Sequence, residues 1–238
     1  MTLPQTIAID GPAASGKTTV GRMLAEHLGY LFLDTGCMYR AVTLAALQQQ
    51  MDMMDEAAVT SLAQQIAIDI QPAGEKQDGR FYTALLDGQD VTWEIRSPDV
   101  DANVSQVSQY AGVRQEMVQR QRAFGQNGRI VMVGRDIGTV VLPDAPLKFY
   151  ITASPEERAN RRWRERAKSG HHDSYQTILA DVIRRDQIDS SRQHSPLRPA
   201  ADAIIIDTTG KSPWTILQEL VLLVTADKAI VNYRDEYS

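Results

Sequence analysis

The sequence predicts an α/β fold with a five-stranded parallel sheet flanked by helices, a small antiparallel-strand insertion and a helical lid. Five short apolar runs are separated mostly by segments with helical periodicity, which is typical of parallel sheets that are covered on both faces. A glycine-rich turn directly follows the first run. The alternation breaks between the second and third runs, at about 52–104, so we interpret this segment as an insertion into one domain spanning 1–238.

Each element follows from a local pattern. Apolar runs bounded by turn residues predict the sheet strands, and apolar residues spaced three and four apart predict the helices. The predicted strands of the sheet are 5–10, 30–33, 129–133, 147–152 and 203–206. The predicted helices are 16–28, 38–50, 113–124, 155–168, 175–189 and 213–226. Antiparallel strands are predicted within the insertion at 67–71, at 81–86 and in a short run after them. Asp87-Gly88 is a turn signal between the last two.

The composition limits the classes of partner. The chain has 238 residues and a net charge of −5, so we expect no nucleic-acid partner, because duplex binding relies on basic patches. No apolar run approaches the roughly 20 residues that span a bilayer, and no basic segment precedes an apolar one at the N-terminus. We therefore expect no membrane partner and a cytoplasmic location, and we expect a monomer. The one cysteine, Cys37, excludes an internal disulfide.

The strongest motif is the segment GPAASGKT at 11–18, which fits the P-loop pattern G-x-x-x-x-G-K-[ST]. Glycines let the loop curl so that backbone N–H groups point at phosphate oxygens, and the following helix adds its N-terminal N–H groups and its dipole. Lys17 is predicted to reach the β- and γ-phosphates, and Thr18 to ligate Mg²⁺. An apolar strand before the motif and a helix after it provide the context that the motif needs.

A P-loop alone does not distinguish a switch, a motor and a kinase. A small GTPase needs an N-K-x-D motif, which the sequence lacks. Motor ATPases usually carry four apolar residues ending in an acid; the segment 204–207 (IIID) fits in part, but its place near the C-terminus favours an ordinary strand end. Phosphoryl transfer is favoured by Arg40, Arg135, Arg185 and Arg192, because guanidinium groups match phosphate oxygens in a bidentate way. Arg135 lies just past the end of a predicted strand, where open α/β sheets bind ligands.

Two further motifs, LDTGCMYR at 33–40 and GRDIGTVVLPDA at 134–145, stand in order after the P-loop. With all three motifs, the chain resembles the bacterial cytidylate kinase family, within the nucleoside-monophosphate kinases. The resemblance covers nearly the whole chain, including the insertion, which this family uses as an enlarged acceptor-binding domain. It implies that ATP and CMP or dCMP are converted to ADP and CDP or dCDP, with Mg²⁺, by in-line phosphoryl transfer.

The resemblance also implies a role for each matching residue. The residues implied to bind ATP are Gly11, Pro12, Ala13, Ala14, Ser15, Gly16, Lys17, Thr18 and Thr19. The residues implied to bind the acceptor are Thr35 and Tyr39, then Arg40, Arg135 and Arg192 at its phosphate, Ser105, Arg114 and Asp136 at the cytosine, and Arg185 and Asp189 at the sugar. The residues implied to take part in catalysis are Lys17, Arg135, Arg162 and Asp34, with Asp34 near the Mg²⁺.

A lid is expected at about 158–175. In the family, arginines of the lid close over the transferring phosphates, and the candidates here are Arg158, Arg161 and Arg162. Few acidic partners for these arginines are visible in the sequence. We therefore expect substrate phosphates to supply the counter-charge and to draw the segment closed.

Two other functions fit parts of this pattern. One is a kinase for another small acceptor, such as UMP or shikimate. The other is a nucleotide-binding regulatory protein without transferase activity, which would bind ATP but show no acceptor-dependent turnover. The presence of Lys17 together with the arginines of the acceptor side argues against the second.

Overall fold

The computed structural model describes residues 3–76, 78–126, 128–168, 170 and 173–225. Its strands are β1 Thr6–Asp10, β2 Leu31–Asp34, β3 Ile68–Pro72, β4 Tyr82–Leu86, β5 Gln89–Asp90, β6 Ile130–Gly134, β7 Leu147–Thr152 and β8 Ile204–Asp207. Its helices are α1 Lys17–Leu28, α2 Gly36–Gln48, α3 Glu56–Gln65, α4 Pro98–Val107, α5 Ala111–Gly125, α6 Pro155–Lys168, α7 Tyr175–Ser191 and α8 Pro213–Thr225. A 3₁₀ turn spans Glu94–Arg96 and a π-helical turn spans Ile137–Val141. None of the helices among these residues is long and apolar enough to cross a membrane.

The main sheet is parallel and has the strand order β2-β6-β1-β7-β8. Its strands β1 and β6 are mainly apolar, because a parallel sheet that is covered on both faces buries side chains on each side. In β1, for example, Ile7, Ala8 and Ile9 are fully buried. The predicted five-stranded parallel sheet flanked by helices is confirmed, and the predicted strand bounds differ from the observed ones by at most one residue.

Helices cover both faces of this sheet. On one face lie α1 and α8, with Val20, Leu24 and Leu220 fully buried between them and the strands. On the other face lies α2, whose fully buried Met38 belongs to the same hydrophobic core as Met117 of α5. Val59 of α3 and Tyr82 of β4 belong to this core as well, so the insertion packs on the sheet through it.

The insertion contains the predicted antiparallel sheet, in the order β3-β4-β5. The chain turns between β4 and β5 at Asp87 and Gly88, which both have positive φ. The carboxylate of Asp87 also accepts a hydrogen bond from the backbone N–H of Ala67 at 2.7 Å. A short polar residue and a glycine tolerate this backbone conformation, so the turn signal in the sequence is confirmed.

Two helices of the insertion, α3 and α4, are missing from the predicted elements. Both begin at a side-chain cap: the carboxylate of Asp55 accepts a hydrogen bond from the N–H of Ala58 at 2.9 Å, and the hydroxyl of Ser97 accepts one from Val100 at 3.4 Å. Pro98 then occupies the first turn of α4. Capping residues and an N-terminal proline are local signals of a helix start, so both helices could have been predicted from the sequence.

A buried carboxylate organises the π-helical turn after β6. Asp10, the last residue of β1, accepts hydrogen bonds from the backbone N–H groups of Ile137 at 2.7 Å and Gly138 at 2.8 Å. Burial raises the pKa of Asp10 to about 7, although these two N–H groups act in the opposite direction. The bonds tie the segment Arg135-Asp136, which lies between β6 and the turn, to the carboxyl end of β1.

Candidate active site

The P-loop lies between β1 and α1, at the carboxyl end of the parallel sheet. Gly11 and Gly16 have φ angles of 153° and 90°. A Cβ on Gly11 would lie 2.0 Å from the backbone oxygen of Ile151, so no side chain fits there. No side chain caps the first turn of α1. The loop therefore keeps its curl, and the first N–H groups of α1 stay available to an anion.

Lys17 is the first residue of α1, and its ammonium group points back to the loop. The Nζ atom donates to the backbone oxygen of Pro12 at 2.9 Å. Burial, followed by the positive charge of Arg135 and then, more weakly, that of Arg185, lowers the pKa of Lys17 to about 7. Within the described ranges, no carboxylate forms an ion pair with this lysine, although the charges of Asp34 and Asp189 act on its pKa in the opposite direction. An anion bound in the loop would therefore stabilise its charged form.

Thr18 and Asp34 meet beside the loop. The Thr18 hydroxyl donates to Oδ2 of Asp34 at 2.9 Å, and Oδ1 of Asp34 accepts from the N–H of Gly36 at 3.0 Å. Hydroxyl and carboxylate oxygens suit Mg²⁺, which usually completes its coordination with water and substrate phosphates. In the described part of the chain, no group of three or more His, Cys, Asp or Glu side chains could hold a metal ion. These two residues thus fit a metal that is shared with a phosphate.

A buried ion pair marks the other end of the site. Arg114 of α5 donates to the carboxylate of Asp136, and both residues are 4% exposed. Arg114 also donates to the backbone oxygen of Ser108 at 3.1 Å, and its guanidinium group lies 5.5 Å from the ring centre of Tyr39. Burial raises the pKa of the Tyr39 phenol to about 12. Such a pair can offer both donors and an acceptor to a small polar ring.

A second buried network surrounds Asp189 of α7. Its carboxylate accepts hydrogen bonds from Arg135 and Arg192, and Arg192 also donates to Oγ of Ser108 at 2.9 Å. Arg185 lies one helical turn before Asp189, and burial followed by the charge of Arg135 lowers its pKa to about 9. The network contains three guanidinium groups around one carboxylate, so its net charge suits an anionic ligand.

Asp101 of α4 joins two arginines from different helices. Its Oδ1 atom accepts from Arg40 of α2, and its Oδ2 atom accepts from Arg162 of α6, both at 2.5 Å. Arg40 also donates to the backbone oxygen of Ile95 at 3.0 Å. Asp101 carries no local signal in the sequence, because each of its two partners lies 61 residues away along the chain.

One cavity of about 270 Å³ brings the two sides of the site together. Its lining includes Ala13 and Ala14 of the P-loop, Asp101 and Ser105 of α4, Arg162 of α6 and Arg185 of α7. Residues that the sequence assigns to ATP and residues that it assigns to the acceptor thus face a single space. Two molecules bound there could meet with their phosphates adjacent.

The expectation that the arginines of the predicted lid lack acidic partners is wrong. The partners are Asp186 for Arg158, Glu157 for Arg161, and Asp101 together with the more distant Glu165 for Arg162. Asp186 and Asp101 belong to α7 and α4, so a search of the neighbouring sequence does not find them. Arg161 also donates to the backbone oxygen of Ser15 at 3.1 Å, so α6 contacts the P-loop directly. Of the predicted lid 158–175, positions 169, 171 and 172 lie outside the described residues.

Two threonines that the sequence assigns to ligands, Thr35 and Thr19, are wholly or partly buried. Thr35 is buried, and its hydroxyl donates to the backbone oxygen of Val133 at 3.0 Å, which joins the start of α2 to β6. Thr19 is partly buried in α1, one residue after Thr18.

Three carboxylates of the site were not predicted from the sequence: Asp10, Asp101 and Asp186. Of these, only Asp10 has a local signal, because it directly precedes the P-loop.

Known proteins are similar to this chain over nearly its whole length. A family model described as cytidylate kinase matches residues 7–226. A cytidylate kinase of Herpetosiphon aurantiacus is 48% identical over 224 residues, which cover 94% of this chain and 96% of that relative. A cytidylate kinase of Roseiflexus castenholzii is 50% identical over 228 residues, which cover 96% of each. A solved structure of an uncharacterized protein from Eubacterium ventriosum is similar in fold alone, with a TM-score of 0.50 and 11% identity over 93% of this chain and 99% of that one.

Proposed function

This chain belongs to the cytidylate kinase family, and from that membership we propose that it transfers the γ-phosphoryl group of ATP to CMP and to dCMP. The observation that carries the proposal is a cavity lined by the P-loop and by arginines of α6 and α7. A phosphoryl donor and a phosphorylated acceptor would meet there in a positively charged space. Positioning and positive charge are what phosphoryl transfer chiefly needs.

On the donor side, we assign the P-loop segment 11–19 to ATP. Lys17 supplies positive charge to the β- and γ-phosphates, and its buried position without an ion-pair partner in the described ranges supports this role. Thr18 and Asp34 would hold Mg²⁺, which, when bound, neutralises charge on the phosphate oxygens. Arg161 contacts the loop backbone, so α6 would lie beside the bound ATP.

On the acceptor side, we assign each residue a role from the charge of its side chain and from its position in the site. The assigned residues are Arg40, Arg135 and Arg192 for the phosphate, Ser105, Arg114 and Asp136 for the cytosine, Arg185 and Asp189 for the sugar, with Thr35 and Tyr39 beside them. The carboxylates of Asp101 and Asp189 support these roles, because each pairs with two arginines, so that the arginines outnumber the carboxylates. A site with surplus guanidinium groups binds a phosphate dianion well.

The reaction requires no nucleophile from the protein. An oxygen of the CMP phosphate bonds to the γ-phosphorus of ATP, the bond from that phosphorus to the β-phosphate oxygen breaks, and ADP leaves. Lys17, Arg135 and Arg162 stabilise the charge on the transferred group. Closure of the lid at 158–175 would keep water away from the γ-phosphoryl group, which limits wasteful hydrolysis.

Several features of the whole chain stay predictions. They include one domain over 1–238 with the acceptor-binding insertion at about 52–104, a monomeric state, a cytoplasmic location, and the absence of nucleic-acid and membrane partners. The small-molecule partners that we propose are ATP and CMP or dCMP, because the arginines that line the cavity suit phosphorylated molecules.

An acceptor panel tests the proposed function. ADP release is measured with MgATP and, in turn, CMP, dCMP, UMP, shikimate or no acceptor. We expect CMP or dCMP to give the highest kcat/KM, with little ADP release in the absence of an acceptor. A higher value with UMP or shikimate would assign the site to another acceptor. ATP binding without acceptor-dependent turnover would instead favour a regulatory protein.

The pKa of Lys17 leads to a prediction about ATP binding and pH. This pKa is about 7 because the ammonium group is buried near other cations. A triphosphate in the loop stabilises the charged form, so binding raises the pKa and takes up a proton. ATP affinity should therefore be highest below about pH 7 and should fall as the pH rises above it, by at most about tenfold per pH unit.

Calorimetry in two buffers of different ionisation enthalpy measures this proton uptake directly. We expect uptake of part of one proton per ATP near pH 8. Lys17→Met should abolish the uptake, whereas Lys211→Met, which changes a lysine paired with Glu219 on α8, should retain it. Equal heats in both buffers for the unmodified protein would contradict the prediction.

A further inference from the structure

The carboxylate of Asp101 lies inside a cluster of arginines that the proposed function assigns to substrate. Each of its oxygens accepts a hydrogen bond from a different guanidinium group, Arg40 on one side and Arg162 on the other, at 2.5 Å. Arg185 lines the same cavity and interacts electrostatically with Asp101. One carboxylate on α4 thereby connects the helices α2 and α6.

Asp101 is negatively charged and can be reached from the cavity, as a bound anion would be. Burial alone would raise its pKa, but Arg40 and Arg162 outweigh burial and hold the pKa below its ordinary value. Its side chain is 25% exposed and lines the cavity, so a ligand in the cavity can reach it. A carboxylate forms the same charge-assisted bonds to guanidinium groups that a phosphate forms. Asp101 therefore occupies a position that suits a phosphate group.

We infer that Asp101 is a positioning residue that keeps Arg40 and Arg162 paired until the phosphate of the acceptor displaces it. This inference rests on the proposed function. A phosphate monoester carries a charge of about −1.5 to −2 at neutral pH, against −1 for a carboxylate, so it competes effectively for Arg40. Its arrival puts two anions side by side, and their repulsion moves Asp101 away from Arg162.

The order of these exchanges protects ATP from water. Without an acceptor, Arg162 stays paired with Asp101 and does not stabilise the γ-phosphoryl group. In hydrolysis, the oxygen of a water molecule bonds to the γ-phosphorus, the bond to the β-phosphate oxygen breaks, and ADP, inorganic phosphate and a proton are released. Asp101 therefore slows this reaction, and it also weakens CMP binding, because the CMP phosphate must replace an existing partner of Arg40.

Asp101→Asn tests both consequences, because asparagine keeps the shape of the side chain and removes its charge. We expect the KM for CMP to fall by about threefold to tenfold with kcat within about twofold of the unmodified protein. Acceptor-free ATP hydrolysis should rise by about fivefold or more. Asp99→Asn is the matched control: it removes an exposed carboxylate from the same turn of α4 and should leave both values unchanged.

Arg162→Ala provides a second background for the same test. If Asp101 acts through Arg162, Asp101→Asn should not increase acceptor-free hydrolysis in that background. Asp101→Ser repeats the measurement with a smaller side chain, and thermal melts identify any variant that does not fold. A KM for CMP that rises or stays constant in both folded variants would overturn the inference, as would unchanged hydrolysis.

The unmodified protein separates this inference from the proposed function. If it shows no CMP-dependent turnover, the proposed function fails and the inference fails with it. If it phosphorylates CMP while Asp101→Asn and Asp101→Ser match it in KM and in hydrolysis, only the inference fails.

Discussion

Lys17→Ala is expected to lower CMP-dependent ADP formation by roughly a thousandfold or more while the protein stays folded. The ammonium group of Lys17 is buried in the P-loop and donates to the backbone oxygen of Pro12 at 2.9 Å. In the proposed reaction it neutralises charge on the β- and γ-phosphates as the bond between them breaks. Alanine removes that charge, so the transition state loses its stabilisation.

The fold should tolerate this substitution. Burial lowers the pKa of Lys17 to about 7, which means that the surroundings disfavour its charged form. Removing a buried cation without an ion-pair partner in the described ranges should leave the free energy of unfolding equal or slightly higher. The thermal midpoint of Lys17→Ala should thus match or exceed that of the unmodified protein in the absence of nucleotide.

The measurement combines an ADP-release assay at saturating CMP with a thermal melt. Lys211→Ala is the control, because Lys211 is paired with Glu219 in a surface position away from the cavity. It should retain full activity. Near-normal turnover by a folded Lys17→Ala protein would show that this loop is not the ATP site, and the proposed function would lose its donor side.

Local patterns were sufficient to predict the sheet and the P-loop. The apolar runs of β1, β2, β6, β7 and β8 each specify a strand within one residue of its observed bounds. Gly11 and Gly16 have the positive φ angles that the motif requires, and Asp87-Gly88 forms the expected turn. In each case the structural cause lies within a few residues, such as a missing Cβ or an alternation of polar and apolar side chains.

The pairing of charges could not be predicted in the same way. Arg158 and Asp186 are 28 residues apart, and Asp101 is 61 residues from each of its partners. Whether these groups meet depends on how α4, α6 and α7 pack together, and hydrophobic periodicity does not specify that arrangement. The resemblance to a family pointed to Arg40, which lies in a motif, and to Arg162, which lies in the expected lid. It did not indicate which carboxylates hold them.

The second large effect concerns the choice of base at the acceptor site. Cytosine presents an amino donor at position 4 and acceptors at N3 and O2, whereas uracil presents an oxygen at position 4 and a donor at N3. In the proposed acceptor site, the Asp136 carboxylate would accept a hydrogen bond from the cytosine amine and would repel the uracil oxygen. Arg114, which only donates, suits cytosine N3 and O2. Since both side chains are buried, a mismatched base leaves polar groups without partners.

Asp136→Asn should therefore lower kcat/KM for CMP by about a hundredfold and change the value for UMP by much less. The amide of asparagine can rotate to donate to the uracil oxygen, which the carboxylate cannot do. The substitution also leaves the buried guanidinium of Arg114 with a neutral partner, which costs up to about 3–5 kcal/mol of stability. Arg114 keeps its bond to the Ser108 backbone oxygen and its contact with Tyr39, so we expect a folded protein with a lower thermal midpoint.

The test measures kcat/KM for CMP and UMP in the unmodified protein and in Asp136→Asn, below the melting temperature of both. Asp144→Asn is the matched control, because it makes the same chemical change at an exposed position eight residues later. It should leave both values and their ratio unchanged. A loss of stability alone would reduce the activity on the two substrates by the same factor, because it lowers the amount of folded enzyme. If Asp136→Asn shows that pattern, Asp136 supports Arg114 without reading the base, and the preference for cytosine must depend on other groups of the acceptor site.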